Sequence, residues 1–248
     1  MRRIAVLACL VLLAGCGSDD SPSSKPPLTV SAAASLKNAV TDYGKRFDAA
    51  SVRPSFAGSD ELAAQIRQGV KPDVFASANT KLPDQLYAEG LVEKPVVFAS
   101  NQLVLAVPPD SAVKGLADLA KPGTTIAMGS ESVPVGSYTR KVLDGLPAGE
   151  KKAILANVRS NEPDVGGVVG KVTQGAVDAG FVYVTDVQAT DGKLKAIDLP
   201  ETLKPQVAYG VAVVKGAKHP EQARQFVDGL LNGAGKQALA RAGFLPPP

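Results

Sequence analysis

The 248-residue chain has no tryptophan, one histidine, two cysteines and only 5% aromatic residues, and each shortage removes a class of chemistry. Without Trp, and with few Phe or Tyr, stacking platforms for sugars or bases are scarce. The lone His219 precedes Pro220 at an expected helix start, where it faces solvent, and no Gly-x-Ser-x-Gly segment offers a nucleophile elbow. A hydrolase is therefore a remote alternative and the chain is not expected to be an enzyme. One His and no spare Cys leave a protein-held metal without ligands, and nothing calls for a cofactor. The 27 basic and 24 acidic residues nearly balance, with no dense basic run, so nucleic acid is not an expected partner. The segment Gly166-Gly167-Val168-Val169-Gly170-Lys171-Val172 has neither the spacing of a phosphate loop nor a hydroxyl after the lysine.

The N-terminus points outside the cytoplasm. Arg2 and Arg3 precede an apolar run from Ile4 to Leu13, too short to span a membrane, which closes in Leu13-Ala14-Gly15-Cys16. This is the pattern of a bacterial lipoprotein signal, and it implies removal of residues 1–15 and diacylation of Cys16. Cys9 would leave with the signal, so no intramolecular disulfide is available and the core alone must hold the fold. Residues 16–27, rich in Ser, Pro and Asp, read as a flexible lipidated tether. The expected location is the extracytoplasmic face of the cell membrane.

From Leu28 onward, short apolar runs alternate with segments of helical spacing. Expected strands include Leu28–Ser31, Val52–Phe56, Asp73–Ala76, Gln102–Val107, Thr125–Met128, Asn157–Ser160, Ala179–Val184 and Val207–Val214. Helical patterns lie between them, and two more, from Pro220 and from Ala234, follow the last strand. The fold class is α/β. Alternation alone allows either one continuous sheet or two lobes, and no internal repeat is visible.

Four segments carry the chemistry: Ala32-Ala33-Ala34-Ser35-Leu36, Phe56-Ala57-Gly58-Ser59-Asp60-Glu61-Leu62, Val133-Pro134-Val135-Gly136-Ser137-Tyr138 and Phe181-Val182-Tyr183. Three set a small or hydroxyl residue where an amphipathic helix begins, so unpaired N–H groups and a helix dipole would converge on one point. The fourth supplies a phenol. Taken singly, Ser35 and Ser59 are ordinary helix-start residues, and Tyr183 is a core tyrosine. Asp164 suits a helix cap better than an anion contact, since a bare carboxylate repels an anion.

In order and from about Leu28 to the C-terminus, these segments resemble the binding proteins of molybdate ABC transporters. The resemblance implies a type II periplasmic-binding-protein fold, with lobe 1 at residues 28–105 and 208–248, lobe 2 at 106–207, and hinges near Leu105–Pro108 and Gln206–Tyr209. It implies an oxyanion held by the hydroxyls of Ser35, Ser59 and Tyr183 and by the amides of Val135 and Val165, without direct protein ligands to the metal. Val165 rests on the thinnest match, an Asp-Val pair ahead of a helix-like run. The implied ligands are molybdate and tungstate, and the implied partner is a membrane permease. The chain is expected to act as a monomer. A shell of donors alone favours an oxyanion without protons and disfavours phosphate. Sulfate is an alternative that only cavity size separates, and phosphate would need an acceptor such as Asp60 turned into the cleft.

Cys16→Ala is expected to abolish metabolic lipid labelling and release the protein from the membrane; labelling at the parent level would refute the anchor.

Overall fold

A computed structural model describes residues 25–248; the expected signal, Cys16 and all but the end of the tether lie outside the described residues. Two five-stranded sheets divide the chain. Strands β1 (Pro27–Ala33), β2 (Ser51–Ala57), β3 (Val74–Ser77) and β4 (Val96–Asn101) belong to the first. Strands β5 (Leu103–Val107), β6 (Ile126–Gly129), β7 (Val158–Glu162), β8 (Ala179–Tyr183) and β9 (Lys195–Asp198) make the second, and β10 (Val207–Val213) returns to the first. The helices are α1 (Lys37–Lys45), α2 (Ser59–Arg67), α3 (Lys81–Ala88), α4 (Leu116–Leu119), α5 (Pro134–Asp144), α6 (Ala148–Ala156), α7 (Val165–Thr173), α8 (Val184–Gln188), α9 (Pro220–Asn232) and α10 (Ala234–Arg241).

The sheets share one topology. The first runs β2-β1-β3-β10-β4 and the second β7-β6-β8-β5-β9. In each, three parallel strands are followed by an antiparallel strand, β10 or β5, that has just crossed from the other lobe. The central strands are buried along their length: β3, β5, β6 and β8 expose nothing. That explains their uninterrupted apolar sequences. In lobe 1, Tyr43 of α1 stacks on Phe226 of α9 with ring centroids 4.5 Å apart, and Phe47 meets both rings edge-on. The C-terminal helices are thereby fastened to the lobe that opens the chain.

The first crossing differs from the expected one. Leu103–Val107 already pairs with β8 and β9, so the chain changes lobes at Gln102, between two strands; Leu105–Pro108 lies inside and just after β5 rather than at a hinge. The Pro108-Pro109 pair ends a strand of the second lobe, and the polar pair Asn101-Gln102 marks the turnover. The return occupies the stretch between β9 and β10, so Tyr209 is sheet rather than hinge. Two strands, β4 and β9, are absent from the sequence expectation. Both are sheet edges, and β9 alternates half-buried and exposed residues over four positions, which leaves it little apolar signal.

Each lobe is closed at the starts of its parallel strands by the same clasp. Asp73, just before β3, accepts from Thr29 N at 2.7 Å and Thr29 Oγ1 at 2.7 Å, and its own N–H donates to Thr29 Oγ1. Asp178, just before β8, does the same with Thr125. Asp73 also accepts from the backbone N–H of His219 at 2.9 Å, which places this half-buried histidine at the base of lobe 1. Burial pushes the Asp73 carboxyl up, but the bonds from Thr29 and His219 outweigh it and hold the pKa below the ordinary value. Asp73→Ala is expected to lower stability by on the order of 3 kcal/mol in chemical denaturation, and Asp178→Ala, at an exposed site, by less. Because the folded-state pKa of Asp73 is depressed, its contribution is present above about pH 4 and is lost as pH falls through the folded value, so the gap between parent and Asp73→Ala should close in acid.

Candidate oxyanion site

The parallel strands of both lobes end facing one small cavity, lined by Ala33, Ala34, Ser35, Ala57, Gly58, Ser59, Ala78, Val133, Pro134, Val135, Asp164, Val165 and Tyr183. The five residues expected to meet an anion all line it. Ser35 follows β1, Ser59 follows β2, Val135 follows β6, Val165 follows β7, and Tyr183 ends β8. The space open to the centre of a water-sized sphere is only ≈ 20 Å³, little more than one water requires. A compact inorganic ion fits such a volume; a sugar phosphate does not.

Local sequence keeps donors free. Helix α2 is entered through Gly58 and α5 through Val133-Pro134, and neither has a side-chain cap. The first-turn amides, among them Val135 N, have no carbonyl one turn back. Gly136 permits the approach of α5 to the end of β6, since a Cβ there would lie 1.9 Å from the Ser130 carbonyl oxygen. Helix α7 is capped by Asp164, whose Oδ1 accepts from Gly167 N at 2.9 Å. That leaves Val165 N, at the first helical position, outside the cap, on a residue that lines the cavity.

Two hydroxyls are held as donors in waiting. Ser59, 1% exposed, accepts from Ala78 N at 3.1 Å, so its own proton is free to turn into the cavity. Tyr183, also 1% exposed, has no hydrogen-bond partner for its phenol oxygen. Burial drives the Tyr183 pKa well above the usual phenol value, with Tyr209, Tyr138 and Asp186 adding to the rise, so the phenol stays protonated. No Lys, Arg or His lines the cavity, and among the described residues no cluster of three His, Cys, Asp or Glu could hold a metal ion.

Asp60 does not line this cavity. Its Oδ1 is buried without a partner, beside Gly58. Gly58 is itself a contact between lobes, where a Cβ would lie 2.4 Å from the Pro163 carbonyl oxygen and 3.4 Å from Val133 Cγ1. The lobes are thus closed on one another here.

Two contributors escaped the sequence reading. Asp186 accepts from Tyr183 N at 3.0 Å, and burial, with Asp164 adding to it, pushes its carboxyl up to about 7 against that bond. Tyr209, fully buried, bonds Ser35 Oγ at 2.9 Å.

The model of the bacterial extracellular solute-binding proteins matches residues 28–245. The chain belongs to this family. It is a family of binding proteins, not of enzymes. The molybdate-binding protein ModA of Mycobacterium tuberculosis is 38% identical over the whole of both chains. ModA of Escherichia coli is 31% identical over 88% of each. Among solved structures, the periplasmic molybdate-binding protein of Azotobacter vinelandii superposes with a TM-score of 0.77 over 89% of this chain and 100% of that one, at 23% identity, a likeness of fold. The two-lobed periplasmic-binding-protein architecture is therefore the architecture of this member.

Asp186→Asn retains an acceptor for Tyr183 N but cannot ionise. A carboxyl whose pKa is raised in the fold stabilises while it is protonated, and that contribution is lost as pH rises from about 4 to about 7. The melting temperature of Asp186→Asn should therefore gain on the parent's across that window, and parallel pH profiles would contradict the assignment.

Proposed function

We propose that this protein binds molybdate, and tungstate as its near equal in size and charge, outside the cytoplasm and delivers it to an ABC transporter permease. The observation that carries the reading is the Tyr183 hydroxyl, buried and partnerless on a residue of a cavity wall that also holds the hydroxyls of Ser35 and Ser59 and the residues Val135 and Val165, whose amides are read as donors. A buried hydroxyl with nothing to bond is destabilising by about 1–3 kcal/mol, and an oxyanion oxygen would relieve it. The ModA relatives support molybdate as the anion. In this reading Asp164 lines the cavity with its charge engaged by Gly167 N, and the metal is never touched by protein; it is surrounded through its own oxygens.

Fixed N–H and O–H dipoles replace the hydration of the dianion without a mobile counter-charge. The donors are divided between lobes, so the closed arrangement has the greater affinity and the ligand shifts the population toward it. The permease would then receive a closed, monomeric protein tethered by diacylated Cys16.

Titration calorimetry of the soluble protein should give strong heats with molybdate and tungstate, weak competition from sulfate and none from phosphate. Ser59→Ala and Tyr183→Phe should each weaken molybdate by about ten- to a hundred-fold, as loss of a hydrogen bond to a charged group predicts, while His219→Ala leaves it unchanged. Equal affinities for the parent and both cavity variants would remove the site from this cavity.

A further inference from the structure

The hydroxyl of Ser35 is not free to choose whether it donates or accepts, and the reason lies in residues that line no part of the cavity. Asn101, the last residue of β4 before the crossing, has its Oδ1 2.9 Å from the backbone N–H of Gln102. An amide N–H can only donate, so this bond fixes the orientation of the side chain and leaves Nδ2 on the other side. The two protons of Nδ2 then have one acceptor each, Thr185 Oγ1 at 2.9 Å and the Tyr209 hydroxyl at 3.3 Å. Tyr209 is 0% exposed, and rings of Phe98, Tyr183 and Phe244 stand edge-on around it with centroids 5.3 to 6.2 Å away. Its oxygen accepts from Asn101, so its own proton has a single recorded partner left, Ser35 Oγ at 2.9 Å. Ser35 accepts that proton and directs its own into the cavity.

We propose that Tyr209 and Asn101 are positioning and specificity-determining residues, which form a one-way relay from the Gln102 amide through Asn101 and Tyr209 to Ser35 and thereby force Ser35 to present a donor to the bound oxyanion. The inference rests on the reading of the cavity as an oxyanion site. Ser59 is locked the same way by the Ala78 amide, so both lobe 1 hydroxyls are set by backbone N–H groups, one directly and one at three removes. An anion that carries a proton needs an acceptor. For Ser35 to accept there instead of donating, its own proton would have to turn onto Tyr209, and the buried Tyr209 proton, with Asn101 donating beside it, would be left without an acceptor. The relay thus excludes protonated oxyanions without any repelling charge. Because Asn101 also holds Thr185 of α8, the same side chain ties the relay to lobe 2 at the crossing.

Two variants separate the parts. Asn101→Ala keeps the bond between Tyr209 and Ser35 but releases its direction, so Ser35 can accept from a ligand; Tyr209→Phe removes the relay at its centre. Molybdate, sulfate and inorganic phosphate are titrated into the parent and both variants from about pH 6 to about pH 8, across which phosphate changes protonation and the other two remain unprotonated dianions. The ratio of phosphate to molybdate dissociation constants at the acid end should fall by about ten-fold or more in Asn101→Ala, as expected when one misdirected hydrogen bond is relieved, while the sulfate to molybdate ratio holds. Tyr209→Phe should weaken molybdate by about ten-fold and narrow the phosphate ratio in the same direction. Melting curves establish that each variant is folded. If folded variants weaken all three anions by one common factor, or leave every constant unchanged, the relay has no part in specificity and the proposal falls. A parent that binds none of the three overturns the functional reading itself, an outcome distinguishable from failure of the variants alone.

Discussion

A hydroxyl that is buried with no partner is the constraint around which this molecule is arranged. Tyr183 terminates β8, a strand without exposure, and its oxygen meets only the cavity. Keeping it there requires a strand buried on both faces and a second sheet end close enough to shut out water. The topology provides both. Parallel strands released in one direction bring their carboxyl ends, and the starts of the following helices, to the same side of each sheet. Facing two such sheets places several uncapped helix starts around one small volume.

Much of this was legible in the chain. The apolar runs of β1, β3, β6, β8 and β10 announce themselves because they are largely buried, while Ser35, Ser59, Val135, Val165 and Tyr183 come together only through the family resemblance, and the fold sets all five around one cavity. Of the edge strands, β2 and β7 were legible but β4 and β9 were not, and β9 offers only Lys-Ala-Ile-Asp to a pattern reading. The crossing was misplaced because the expected strand Gln102–Val107 falls largely within the expected first lobe, whereas Leu103–Val107 pairs within the second. The partners of Ser35 were beyond reach for a different reason. Tyr209 is 174 residues away in sequence, Asn101 lies in an unremarked edge strand, and each looks like a routine sheet residue until the sheet sets them side by side. Long-range polar pairing leaves no periodicity.

The same distance separates the two kinds of selectivity in the site. Size is decided by backbone: the closeness of Gly58 to Pro163 and of Gly136 to Ser130 sets how nearly the lobes and helices converge. In the proposed relay, protonation state is read by the direction of O–H bonds, set by the Ala78 amide at the cavity wall and by the Gln102 amide away from it. A mutation can therefore alter one without the other, and a cavity of unchanged shape can accept a different ion.

The matching clasps, Thr29 with Asp73 and Thr125 with Asp178, sit at the strand starts, away from the cavity. They pin each lobe at the end of its sheet opposite the helix starts that line the cavity. Thermal motion should be graded in the same sense within both halves, so that opening is a pivot of two stiff bodies rather than a softening of either. A chain whose halves share no visible sequence repeat has thus preserved a mechanical one, and the cavity lies where the two equivalent levers meet.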